Sequence, residues 1–183
     1  HYDFERLLEG YTWLHLSGIT PALGKSCREM ILTCLKIARK KGLTVSFDGN
    51  FRSTLWTWEE ARDFCTQCLP YVDVLLGIEP YHLWKDETDH SQGDVKDGLP
   101  MQPDFQQQEK IFEEFEILDR VGGGDAFASG LIYAMMKGYE PLDMVNFAVA
   151  SSAIKHTIHG DGNITDDVDT IRSLMDMSFD IKR

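Results

Sequence analysis

Asp119-Arg120-Val121-Gly122-Gly123-Gly124-Asp125-Ala126-Phe127-Ala128-Ser129-Gly130-Leu131 is the stretch on which the reading of this chain turns. It follows Ile111-Phe112-Glu113-Glu114-Phe115-Glu116-Ile117-Leu118, an apolar-alternating run expected to be a strand, and it opens a helix expected over Ala126 to Lys137. Strand, glycine loop and helix start, in that order, build an anion site. Successive glycines let the backbone turn tightly and let a phosphate approach, and the unpaired N–H groups of the first helical turn point at the incoming charge. Asp125 stands in the mouth of that site. A carboxylate there repels phosphate, which suits a base that accepts a hydroxyl proton during phosphoryl transfer. The competing reading makes Asp125 a helix cap and the three glycines a plain turn.

Working back towards the amino terminus, Tyr11 to Ser17 reads as a strand, Gly18 to Pro21 as a turn, and Ala22 to Lys41 as a long helix closed by Gly42. Leu43 to Phe47 is the next strand, so the first fifty residues form a strand-helix-strand unit whose crossover favours parallel pairing. Asp48, Asn50 and Arg52 follow at the carboxyl end of that strand, the edge where open α/β sheets bind ligands. Arg52 offers a planar fork for a carboxylate or phosphate, or else pairs with Asp48 or another acid. Trp56 and Trp58 read as packing residues. A second unit comes from a helix over Trp58 to Leu69, Pro70, and a strand over Val72 to Leu76. From Trp84 to Gln108 the chain is polar and Gln-rich, and residues 85–108 are expected to be a loop, disordered or gapped.

Beyond the glycine stretch, Gly138 is expected to end the helix and Glu140-Pro141-Leu142 to start another. Leu142, Val145, Phe147, Ala148, Val149, Ser152 and Ala153 give that second helix a face of small and apolar residues, suited either to bordering an adenine or to tight packing. His156 and His159 lie near Asp161, but their spacing fits no common metal site. Thr165-Asp166-Asp167 reads as the cap of a last amphipathic helix, Val168 to Met177.

Composition limits the partners. The 183 residues carry 43% hydrophobic and 26% charged side chains, enough for one domain with a core. A formal charge of −12 argues against nucleic acid and anionic membrane as partners. It does not obstruct ATP, because a local nest of N–H groups makes a positive spot on a negative protein. No signal peptide and no apolar run of bilayer length is evident, so the cytoplasm is the expected location. Cys27, Cys34, Cys65 and Cys68 read as structural thiols, since neither a reactive helix start nor a second ligand pair accompanies them.

The stretch from Asp119 to Asp125 resembles the C-terminal signature of the ribokinase-type (PfkB) sugar kinases, Asp-Thr-x-Gly-Ala-Gly-Asp, with Arg120 in place of Thr and Gly123 in place of Ala. Both departures resemble the branch that phosphorylates 2-keto-3-deoxygluconate. So do Leu14-His15-Leu16-Ser17-Gly18-Ile19, Phe47-Asp48-Gly49-Asn50-Phe51-Arg52-Ser53-Thr54-Leu55-Trp56 and Lys155-His156-Thr157-Ile158-His159-Gly160-Asp161-Gly162-Asn163. The resemblance implies a ribokinase-like three-layer α/β/α sandwich with a mostly parallel central sheet, here one partial domain over residues 1–183. It implies an N-terminal half with a β-lid that this sequence lacks, so the chain, which also begins without an initiator Met, is expected to be part of something longer. It implies ATP and Mg2+ as cofactors and a sugar acid as substrate, with pairing into a homo-oligomer through the lid. By the same resemblance, Asp125 is the catalytic base and Gly122, Gly123 and Gly124, with Asn50 and Arg52, hold the ATP phosphates. Arg52, Gly122, Asp125 and Asp161 contact the sugar acid. The family's magnesium motif Asn-x-x-Glu has no counterpart in register, and Glu79 is a shifted alternative, so the metal ligands stay unknown. Two other readings stand beside this one: a related kinase for another sugar such as fructose, and a non-catalytic nucleotide-binding remnant.

Overall fold

A computed structural model describes residues 2–76, 117–163 and 168–175. The chain forms two compact units, residues 1–93 and residues 94–183.

In the first unit the elements are α1 (Phe4–Leu7), β1 (Trp13–Ser17), α2 (Ile19–Ala22), α3 (Lys25–Lys41), β2 (Thr44–Asp48), α4 (Trp58–Cys68), a 3-10 turn (Leu69–Tyr71) and β3 (Val74–Leu76). The helix expected from Ala22 begins at Lys25, and a short helix, α2, takes up most of the expected turn before it. Gly24 sits between them at φ 141°, a conformation side-chain-bearing residues rarely adopt, and it separates α2 from α3. Gly42 closes α3 at φ 73°, as its position predicts. The three strands pair in parallel in the order β1-β2-β3, with Leu14 opposite Val45 and Phe47 opposite Leu75. Val45, Ser46 and Phe47 are buried in succession, the mark of a central strand covered on both faces.

Helix periodicity supplies the other side of this core. Ile31, Cys34, Leu35 and Ala38 of α3, and Ala61, Phe64, Cys65 and Cys68 of α4, are buried at spacings of three and four residues. Leu35 is fully buried, and its truncation to alanine costs about 2 to 5 kcal/mol by the usual transfer and cavity terms. The cysteines are free thiols, and burial pushes Cys65 up to about 11 and Cys68 up to about 12. Such thiols stay protonated and unreactive, as structural cysteines do.

The second unit holds α5 (Gly123–Met136), α6 (Pro141–His156) and α7 (Val168–Met175). Between α5 and α6 the turn runs through Gly138 at φ 68°. The small residues of α6 pack against α5: a Cβ on Gly130 would stand 2.9 Å from Ser151 Cβ and 3.1 Å from Ala148 Cα. Tyr133 stacks on Phe147 at 5.2 Å, and Tyr139 meets the same ring edge-on at 5.7 Å. Of the two roles open to that face, helix packing accounts for it, although Leu142 at its start is exposed. The strand expected from Ile111 lies outside the described residues except for Ile117 and Leu118, as do Glu79, residues 85–108 and the Thr165 to Asp167 cap.

Candidate active site

The glycine stretch forms the start of α5, three residues earlier than the sequence suggests. Gly122 is the cap residue at φ 79°, and Gly123, Gly124 and Asp125 are the first three helical positions. The first intrahelical bond runs from Ala126 N to Gly122 O at 2.9 Å. No side chain caps this helix start. The cap reading of Asp125 is therefore set aside: it lies inside the first turn, exposed, and its carboxylate bonds no described group. Gly123 N donates to Arg120 O at 3.4 Å, so the N–H groups left without an intrahelical partner in this turn are those of Gly124 and Asp125, at the positive end of the helix dipole.

What holds the turn lies behind it. Asp119 accepts from Val121 N at 3.0 Å with one carboxylate oxygen and from Gly160 N at 2.9 Å with the other. The N–H groups of Leu118 and Asp119 both donate to His156 O, at 2.8 and 3.2 Å. These bonds join the segment before α5 to the loop after α6. The Val121 and Gly160 amides hold the Asp119 carboxyl below its ordinary value, with smaller contributions from the charges of Lys155 and His159.

Each glycine then has a distinct steric reason. A Cβ on Gly122 would run into Asp161 O and stand 3.2 Å from Lys155 Cε. One on Gly123 would run into the His156 ring, whose Nδ1–H donates to Ser152 O at 2.6 Å. One on Gly124 would meet nothing within 4 Å. The first two glycines are closed in by the protein, whereas the third opens to solvent beside Asp125. Asp161 reaches this cluster through its backbone carbonyl, while its side chain is exposed.

In the first unit, Gly18 N donates to Asp48 O at 2.7 Å and Gly49 N to Leu76 O at 3.2 Å, so the loops leaving all three strands are fastened at one sheet edge. A Cβ on Gly18 would run into Gly49 O. Asp48 Oδ1 accepts from Asn50 N at 3.0 Å, and Asn50 takes φ 35°, one of the few side-chain-bearing types that tolerates a positive value. Asn50 Nδ2 lies 3.4 Å from Ser17 Oγ. Arg52 is exposed and forms no ion pair with a described acid, against the reading in which it pairs with Asp48. Among the described residues no group of three or more His, Cys, Asp or Glu is placed to hold a metal, so no magnesium ligand is assigned. No helix of the described residues is long and apolar enough to cross a membrane.

Sequence reasoning missed three contributors: Asp119 as the clamp, and Lys155 and His156 as the floor under the glycines. Asp119 and the Lys155-His156 pair stand in the quoted motifs, but nothing in their local spacing states that they meet.

Comparison with known proteins finds carbohydrate kinases. The family model for pfkB family carbohydrate kinases matches residues 99–167. A 2-dehydro-3-deoxygalactonokinase of Haloferax volcanii is 31% identical over 175 residues, 85% of this chain and 54% of its own length. A 2-dehydro-3-deoxygluconokinase of Haemophilus influenzae is 29% identical over 182 residues, 85% of this chain and 58% of its own. The crystal structure of a 2-dehydro-3-deoxygluconokinase from Thermotoga maritima matches with a TM-score of 0.75 and 31% identity, over 95% of this chain and 63% of that one. The chain spans little more than half the length of these curated relatives. Its helices and parallel strands match part of that ribokinase-like α/β fold.

Proposed function

We propose that the chain belongs to the pfkB family of carbohydrate kinases and supplies the phosphoryl-transfer machinery of an ATP-dependent sugar-acid kinase. The observation that carries the reading is the uncapped start of α5, open at Gly124, with the unbonded Asp125 carboxylate in its first turn. Outward N–H groups fixed in advance stabilise charge on a phosphoryl group as it transfers, at no cost in reorganisation. Asp125 takes the proton of a primary hydroxyl while that oxygen bonds the γ-phosphorus of ATP and ADP leaves with the bond electrons. Magnesium accompanies ATP and neutralises its phosphates in such reactions.

The substrate class is a 2-keto-3-deoxy sugar acid, phosphorylated at its terminal hydroxyl, most simply 2-keto-3-deoxygluconate to its 6-phosphate. The names of the similar proteins support this class and include its galacto epimer. From the family resemblance rather than from any distance, Arg52 is assigned to the substrate carboxylate, Asp161 to a sugar hydroxyl, and Asn50 with Gly122, Gly123 and Gly124 to the ATP phosphates. The one-domain organisation, a cytoplasmic location and a homo-oligomeric state belong to the same proposal.

The test is a rate measurement on the protein carrying this chain, with ATP and each epimer in turn, beside a neutral sugar such as fructose. Turnover of a sugar acid is expected, and preference for fructose would overturn the substrate class. Asp125→Asn should keep the fold and ATP binding and lower turnover by about 10²- to 10⁴-fold, and a near-normal rate would remove Asp125 as the base. Arg52→Lys keeps the charge but loses the fork, so the sugar-acid KM should rise about tenfold with kcat little changed.

A further inference from the structure

Lys155 lies in the last turn of α6 with none of its surface exposed. An ammonium so placed is unfavourable unless polar groups surround it. Its Nζ donates to Ile158 O at 2.9 Å, which accounts for one of three N–H donors, and no described carboxylate lies within ion-pair distance of it. The stem runs beneath the glycine turn, with Cε 3.2 Å from where a Cβ on Gly122 would stand. Asp119 is the carboxylate that feels this charge, and it is already committed to the amides of Val121 and Gly160. An apolar side chain of equal length would fill the same space without the desolvation penalty. What the position adds is therefore the charge, lodged between the loop Ile158 to Asp161 and the cap of α5.

We infer that Lys155 is a positioning residue of the anion site, an internal cation that fixes the loop after α6 to the Gly122 turn and adds its charge from behind to the N–H group of Gly124 at the open start of α5. It does not touch the anion, being fully enclosed. It acts through the backbone in front of it and through a field that a low-dielectric surrounding leaves poorly screened. This inference rests on the phosphoryl-transfer reading above and adds Lys155, a residue that reading does not use.

The decisive variant is Lys155→Met, which keeps the stem and removes the charge, compared with wild type in the full-length protein by ATP titration calorimetry and initial rates. The expected result is ATP affinity and kcat each lowered about tenfold, with the sugar-acid KM changed by less than about twofold. A Lys155→Met protein with wild-type ATP affinity and kcat overturns the inference. In Lys155→Ala, added methylammonium should recover turnover where methanol at equal concentration does not, because a packing role would respond to either. Equal recovery by both overturns it. If neither variant folds, wild type labelled with 15N-lysine decides: the protected Nζ signal should shift as ATP saturates, and an unmoved signal overturns the inference. Wild type that binds ATP yet phosphorylates no sugar acid defeats the functional reading alone, since the affinity ratio still judges Lys155. Wild type that binds no ATP defeats both.

Discussion

Two helix starts in this molecule meet the same physical problem in opposite ways. At the start of α4, Thr57 accepts from Glu60 N at 3.2 Å, and Glu60 reaches back to accept from Thr57 N at 3.1 Å, a reciprocal capping box. At the start of α5 no side chain caps, the cap residue is Gly122, and the groups that hold the turn sit behind it on Asp119, Lys155 and His156. The first start uses its own side chains to satisfy the amides of Thr57 and Glu60. The second is braced from the rear and leaves Gly124 exposed at its front, with no side chain capping the turn. A helix end that spends its local residues on stability has finished its chemistry, whereas one stabilised by distant residues keeps its front free.

That contrast can be broken by substitution, beginning with the largest effect on stability. Gly122→Ala forces a side chain into a left-handed conformation and into Asp161 O, so it should destabilise the protein by about 2 kcal/mol or more, read as a lowered denaturation midpoint. Unchanged stability would mean that the turn is not braced as described. Thr57→Ala should cost about 1 kcal/mol and leave turnover untouched, because its cap serves α4 alone. Gly124→Ala should move stability by less than about 1 kcal/mol, in the favourable direction, since its methyl meets nothing and φ is helical. Turnover should nevertheless fall, because that methyl stands where a phosphate approaches, and full activity would show that the front of α5 is not the anion site.

Acid gives the finest comparison. Each start depends on one carboxylate held below its ordinary value: Glu60 by Thr57 N and then Arg28, Asp119 by the amides of Val121 and Gly160. A lowered folded-state value contributes stability that is present above the ordinary carboxylate range of about 4 and fades as pH falls through it towards the folded value. The stability gap between wild type and Asp119→Asn should therefore be widest near neutrality and narrow below about pH 4. A gap independent of pH in that window would mean that Asp119 does not work through its charge.

Much of this was legible along the chain. The periodicities of Ile31 to Ala38 and Ala61 to Cys68, the stop at Gly42 and the Asp119 to Asp125 motif each depend on neighbours within a few residues. Short-range sterics, helix period and cap chemistry set them, so α3, α4, the parallel pairing and the anion-site signature could be read directly. The break at Gly24, at φ 141°, was harder, because a lone glycine also survives inside helices.

The differing fates of the three glycines could not be read at all. Identical in sequence, they are separated by residues some thirty to forty positions away: Asp161 and Lys155 close over Gly122, His156 closes over Gly123, and nothing reaches Gly124. The same distance hides the clamp of Asp119 on Gly160 and the burial of Lys155, an ordinary surface residue by composition. Local sequence determined that a helix should open at the glycine stretch. Tertiary packing alone decided which glycine is open to solvent and which charge lies beneath, because steric closure and desolvation are set by whatever the fold brings alongside.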